Sequence, residues 1–279
     1  MAKKKNIVYR FSTAIPFIPV LIIIAFKGGI HFLILIELAI FVGTFEFYDI
    51  LRAKEMNPYK KIGVTVAIIL GLTAYFQSYV FTYLLFTLLV MMLSISELFR
   101  KELDRAINHM GTTVFGILYV SWLFSHLIFL RELPTVTGKP YNIGVSYVLI
   151  PFIIVWGYDT GAFFIGKKFG RRKLLERISP AKTWEGAIGG FLASLVCLFA
   201  YQQIFNLQYL TNFDVIVLAI FGSFLAQVGD LVESLIKRDA KLKDSAKHIP
   251  GHGGVLDRFD GILFVAPFVY YFLRFFAER

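Results

Sequence analysis

The sequence predicts an all-α fold, a polytopic transmembrane helix bundle of about nine helices with its large loops on the cytoplasmic side. Three observations carry that prediction. Of the 279 residues, 57% are hydrophobic and 17% charged, whereas a soluble domain runs nearer 45–50% apolar and about 25% charged. The apolar residues come in long Leu, Ile and Phe runs without period-2 alternation, which favours helices and calls for no strand. The basic residues sort into alternate loops, as they do in membrane proteins. The same composition excludes disorder, because 17% aromatic residues in long apolar runs is its opposite.

Nine apolar segments are expected, at about 11–26, 29–49, 62–77, 79–99, 111–130, 144–166, 184–204, 213–236 and 260–277. A crossing helix needs roughly 20 apolar residues. The first segment follows Lys3, Lys4, Lys5 and Arg10 and is not trailed by a small-x-small cleavage site, so it reads as an uncleaved first helix. The amino terminus and every second loop after it (1–10, 50–61, 100–110, 167–183 and 237–259) hold 24 of the 29 Lys and Arg residues. Such a split makes that side cytoplasmic. The other side holds Lys27, Arg131, Lys139, Arg274 and Arg279. The net charge of +10 therefore points first to loops facing anionic lipid and second to an anionic substrate. Membrane lipid is an expected partner and nucleic acid is not. The single Cys197 lies in an apolar run, which excludes an intrachain disulfide.

Composition shifts along the chain. Residues 1–143 have short, plain loops and read as scaffold helices, whereas residues 144–279 hold two loops rich in Gly, Pro, Lys, Arg and Asp, where chemistry belongs. Acidic residues in the apolar segments sharpen the reading. A carboxylate at the centre of a membrane helix costs about 2.5–3.5 kcal/mol on insertion scales, so it is functional or paired. For Glu37 and Glu46 a structural hydrogen bond between helices suffices, and Glu97 can reach Arg100. Asp159, in WGYDTGAFFIGKKFG, admits a site near the cytoplasmic face and equally a packing motif of Gly157 and Gly161.

The segment GDLVESLIKRD is more informative. Asp230, Glu233, Ser234, Lys237 and Arg238 fall on one helical face, acids first and bases last. An ion pair of Glu233 with Lys237 is worth only a few tenths of a kcal/mol, too little to account for Asp230 deeper in the helix. The loop that follows contains Lys243 and Asp244, then Gly251-His252-Gly253-Gly254, then Asp257-Arg258-Phe259-Asp260. Successive glycines let backbone N–H groups line a concavity for phosphate. Carboxylates such as Asp230 and Asp257 are hard oxygen ligands suited to Mg²⁺. Acids interleaved with bases make sense where a metal and a polyphosphate are held together. His248 and His252 lack the partners of a His-based metal site. In the other large loop, Ser179-Pro180 is expected to start a helix, with Lys182 in its first turn beside free N–H groups.

The stretch SLIKRDAKLKDSAKHIPGHGGVLDRFD, Ser234 to Asp260, resembles the signature of the phosphatidate cytidylyltransferases, or CDP-diacylglycerol synthases, of bacterial type: S-x-x-K-R, then K-D, H-G-G and D-R-x-D. DTGAFFIGKKFG and SPAKTWEG are similar to two further segments of that family, in the same order, so the resemblance covers roughly residues 150–265. Gly261 stands where many members have Ser, and Gly157-Tyr158 where many have Ala. The resemblance implies transfer of CMP from CTP to phosphatidic acid, giving CDP-diacylglycerol and pyrophosphate. It implies Mg²⁺, a second monovalent cation such as K⁺, and a homodimer in the cell membrane with its active site on the cytoplasmic side. By motif position it implies Asp230 and Asp257 as metal ligands. Lys182, Lys237 and Arg238 join them as catalytic residues on the phosphates. Asp159, Ser179, Ser234, Lys243, Asp244, His252, Gly253, Gly254, Arg258 and Asp260 are substrate contacts or supporting groups. Two other readings compete. A CTP-dependent polyprenol-type kinase shares the acids and basic loops and would release CDP. A cation-coupled transporter could use Asp159 and Asp230 as ion sites but has no use for the Gly-rich turn.

Overall fold

A computed structural model describes residues 18–101, 104–246 and 253–277. They form ten α-helices and one small hairpin: α1 (Ile18–Lys27), α2 (Gly29–Ala53), α3 (Lys60–Tyr75), α4 (Tyr79–Leu98), α5 (Ala106–Gly116), α6 (Leu123–Thr137), α7 (Ile143–Phe169), β1 (Lys173–Leu175), β2 (Ser179–Thr183), α8 (Trp184–Ile204), α9 (Asn212–Asp239) and α10 (Leu256–Phe272). A π-helical turn, Ile117–Trp122, joins α5 to α6, so they run as one span, Ala106–Thr137. Among the described residues seven helices are long and apolar enough to cross a membrane; α1 and the 16-residue α3 are the shorter two of the nine apolar segments. The chain is a polytopic helical membrane protein.

The residues group into two compact units, Met1–Glu132 with Asp239–Arg258, and Leu133–Arg238 with Phe259–Arg279. In the first, Tyr48 of α2 is fully buried where α3 and α5 offer Gly63 and Gly116. Its hydroxyl donates to the Thr113 carbonyl at 2.7 Å. Glu97 of α4 is held by the Tyr59 hydroxyl, by His109 Nδ1 at 3.1 Å and by Arg100 at 3.7 Å. Arg131, expected in an outer loop, is instead 1% exposed within α6, with its Nε donating to the Ala25 carbonyl at 2.8 Å. A buried guanidinium must find acceptors, and the helix extends past the expected end to supply that placement.

In the second unit α7 and α8 pack through small residues, as membrane helices do when backbones approach closely. A Cβ at Gly157 would lie 3.0 Å from the Ser194 Cα, and one at Gly161 would collide with Ala193 and the Gly189 carbonyl. Asp159 lies two residues from each glycine, so the helix turns it to the opposite side. Packing and an outward carboxylate thus coexist on α7. A Cβ at Gly261 would come within 3.2 Å of Val155, which accounts for Gly where a Ser could stand.

The expected helix start at Ser179-Pro180 is not formed. Residues 179–183 are the strand β2, antiparallel to β1 with Lys173 opposite Thr183 and Leu175 opposite Ser179. Helix α8 begins at Trp184, and the Thr183 hydroxyl caps it by accepting from Gly186 N at 3.1 Å. The reason is electrostatic. A start at Ser179 would put the Lys182 cation at the positive end of the helix dipole. The start at Thr183 puts Glu185 there instead, which the dipole favours. Glu185 also accepts from the backbone N–H groups of Arg171 and Arg172, closing the loop before the hairpin.

The α7–α8 contact gives a direct test. Gly161→Val should overpack it and destabilise the protein by about 1–3 kcal/mol. Gly111→Ala, where nothing lies within 4 Å of an added Cβ, should leave the thermal midpoint in detergent unchanged.

Candidate functional site

Each unit presents its own cluster of chemically active groups. In the second unit, α7 supplies Asp159, β2 supplies Lys182, α9 supplies Asp230, Glu233, Ser234 and Lys237, and α10 supplies Asp260. Lys182 Nζ lies 2.6 Å from Asp230 Oδ2. The Ser234 hydroxyl donates to Asp230 Oδ1 at 3.3 Å. Asp159, Asp230 and Asp260 are close enough to interact electrostatically, and Lys182 acts on Asp159 as well. Asp230 is half-buried and Asp159 is exposed although it sits inside an apolar helix. Gly229, beside Asp230, lets α9 and α10 approach so closely that a Cβ there would strike the Asp260 carbonyl. Small residues thus bring the acids of three helices together.

Lys237 pairs with Glu233 at 2.6 Å, one turn back on α9, with both side chains buried. Buried charges must be matched, and this pair satisfies that locally. Arg238 is exposed at the end of the same helix, and Ser179 sits half-buried on β2.

In the first unit the loop before α10 is organised by two carboxylates. Asp257 Oδ2 accepts from Ser245 N at 2.9 Å, from the Ser245 hydroxyl at 2.8 Å and from Gly254 N at 2.8 Å. Glu46 of α2, 1% exposed, accepts from Val255 N at 2.9 Å, Leu256 N at 3.1 Å and the Ser245 hydroxyl at 3.2 Å. It therefore satisfies orphan N–H groups at the start of α10 and complements that helix's positive end. Gly253 has φ +75°, a conformation natural to glycine. A side chain at Gly254 would collide with Glu46 and Ser245. The two glycines are thus required by the approach of Asp257 and Glu46. Lys243, Asp244 and Arg258 are exposed around the same loop. His252 and His248 lie outside the described residues.

The structure thus gathers Asp159, Lys182, Ser234, Asp230 and Asp260 in one unit and Gly253, Gly254 and Asp257 in the other. Asp230 and Asp257, expected as joint metal ligands, belong to different units. Among the described residues no three His, Cys, Asp or Glu side chains form a cluster that could hold a metal ion. Mg²⁺ does not require one, since it takes one or two carboxylates and completes its shell with water and phosphate. The carboxylate oxygens around Asp230 have the donor chemistry of a hard divalent cation, at a spacing that falls short of a three-ligand cluster. The structural hydrogen bond between helices expected of Glu46 is the one it makes to the start of α10, whereas Ser245 carries no sequence signal of its own. The signal for Glu46 was present: a carboxylate deep in an apolar segment needs donors, and a Gly-rich turn before a helix supplies them.

Residues 8–276 match the Cytidylyltransferase family. The chain belongs to that family. A phosphatidate cytidylyltransferase of Bacillus subtilis (strain 168) is 30% identical over 280 residues, covering 98% of both chains. One of Synechocystis sp. is 32% identical over 267 residues, covering 88% of this chain and 89% of its own. One of Staphylococcus aureus (strain COL) is 48% identical over 127 residues, covering 44% of this chain and 47% of its own.

The Glu46 cap can be checked directly. Glu46→Leu leaves two backbone donors and the Ser245 hydroxyl without that acceptor, at about 1–3 kcal/mol for each orphaned group. Hydrogen exchange at the Val255 and Leu256 amides should accelerate by about tenfold or more, while Glu46→Gln, which keeps one acceptor oxygen, should fall between.

Proposed function

We propose that the protein is a phosphatidate cytidylyltransferase, which joins CTP and phosphatidic acid to give CDP-diacylglycerol and pyrophosphate. The full-length similarity to the Bacillus subtilis enzyme carries this reading, and the acid cluster of α7, α9 and α10 with Lys182 supports it chemically. A phosphate oxygen of phosphatidic acid attacks the α-phosphorus of CTP. The new P–O bond forms as the bond from the α-phosphorus to the β-phosphate oxygen breaks, and pyrophosphate leaves with that electron pair. The nucleophile is already anionic at neutral pH, so no general base is needed. Catalysis rests on positioning and on neutralising charge.

In this reading Asp230 and Asp257 would each serve as a Mg²⁺ ligand, Asp159 and Asp260 would be supporting acids, and a monovalent cation such as K⁺ would also be used. When bound, the divalent ion supplies the positive charge that lets two anionic substrates approach. Lys182 is placed to exchange its bond with Asp230 for a phosphate oxygen. Arg238, Lys243 and Arg258, exposed at the basic loop, receive the triphosphate from the cytoplasm. The Gly253-Gly254 turn, whose Gly254 N–H is bonded to Asp257, shapes the loop that carries Arg258. Lys237 maintains the buried charge balance of Glu233 and so positions α9. The protein works as a homodimer in the cell membrane.

Labelled CTP and phosphatidic acid in detergent with Mg²⁺ should give a lipid-soluble cytidine product and pyrophosphate, and removal of divalent cations by a chelator should stop the reaction. Asp230→Asn and Asp257→Asn should each lower turnover by about a hundredfold or more, with the thermal midpoint retained because Asn keeps a carbonyl acceptor. Near-normal turnover in either variant would refute the ligand assignment, and release of CDP in place of pyrophosphate would refute the reaction.

A further inference from the structure

Between α2 and α3 the first unit carries an open groove of about 790 Å³. One wall is Phe41, Phe45 and Arg52 of α2, on a shared helical face; the other includes Lys60, Lys61 and Thr65 of α3. The groove changes character along its length. Phe41 and Phe45 are 43% and 40% exposed and lie in the apolar part of a membrane-crossing helix. The three cations sit at the other end, in or beside the basic 50–61 segment. Lys60 Nζ lies 3.0 Å from the centre of the Phe45 ring and 2.6 Å from the Asp49 carboxylate, so it bridges the two regions with its charge already matched. Arg52 and Lys61 are exposed and pair with no acid among the described residues. Glu46, next to Phe45, faces the start of α10 instead, so the groove uses none of the acidic groups assigned above.

Exposed aromatic rings at membrane depth and uncompensated cations at the interface complement a diacyl phospholipid, with its acyl chain in the bilayer and its phosphate at the surface. Basic pockets between transmembrane helices bind anionic headgroups in this way. A soluble nucleotide would leave the two Phe rings uncovered, and a zwitterionic headgroup brings its own cation to Arg52 and Lys61. We propose that the α2–α3 groove is a binding site for an anionic glycerophospholipid, its phosphate on Arg52 and Lys61 and an acyl chain along Phe41 and Phe45. Nothing in this assignment depends on the reaction proposed above.

Native mass spectrometry of the purified full chain, offered equal amounts of phosphatidylglycerol and phosphatidylcholine with matched acyl chains, tests it. Phosphatidylglycerol should be retained in preference, and Arg52→Gln with Lys61→Gln should reduce its occupancy by about tenfold. Thr65→Trp, which fills the groove and keeps every cation, should reduce it too, while Asp257→Asn should not. A photoreactive residue at position 65 should cross-link to lipid. Equal retention of the two lipids, wild-type occupancy in either groove variant, displacement of the lipid by soluble glycerol phosphate, or cross-linking to a second copy of the chain would each overturn the proposal.

Discussion

The constraint behind this structure is that a carboxylate inside an apolar helix must be answered by donors or a cation. The desolvation cost is several kcal/mol for an isolated ion, and for Asp230, Glu233 and Glu46 it dictates what packs beside them. Glu37, expected to make a hydrogen bond between helices, instead has both carboxyl oxygens buried without a partner among the described residues. Asp230 draws Lys182 in from the β-hairpin. Glu233 draws Lys237 around one turn of its own helix. Glu46 draws the first amides of α10. The glycines follow from this packing: a side chain at Gly254 would strike Glu46 and Ser245, and one at Gly229 would strike the Asp260 backbone and hold α10 away from α9. Helix packing and site chemistry are here one problem, because the small residues that let helices approach also let charges meet.

The gross fold was legible in the sequence because membrane insertion imposes a strong, local pattern. Run length located the helices. The details that escaped are those fixed by tertiary partners. Ser179-Pro180 has good local helix-start chemistry, yet the dipole preference for Glu185 over Lys182 in the first turn, with Thr183 as cap, moved the start four residues on. Arg131 looked like a loop residue until the carbonyl of Ala25 gave it a buried partner. The motif acids were visible from their spacing, whereas Ser245 was not, because a serine in a polar loop has no signature until two carboxylates converge on it.

The two acids assigned to the metal differ in how their remaining valence is used. Asp257 spends one oxygen on three donors that hold the Gly-rich turn, so its orientation is fixed by the loop that follows the basic segment. Asp230 is held by one ammonium and a long bond from Ser234. Asp257 is thus held rigidly within its own unit, whereas Asp230 keeps an exchangeable partner in the other.

Lys182 occupies the point where these demands meet. It pairs with Asp230 and acts on Asp159, in a cluster that holds more carboxyl groups than ammonium groups. The strand at Ser179–Thr183, where a helix start was expected, then has an electrostatic consequence beyond the local one. On the strand β2, Lys182 extends from a hairpin and not from the positive end of a helix, so its charge is not repelled by the dipole and can be committed to Asp230. The backbone choice at Thr183 and the electrostatic balance of the acid cluster are therefore the same choice, made once in the placing of a helix cap.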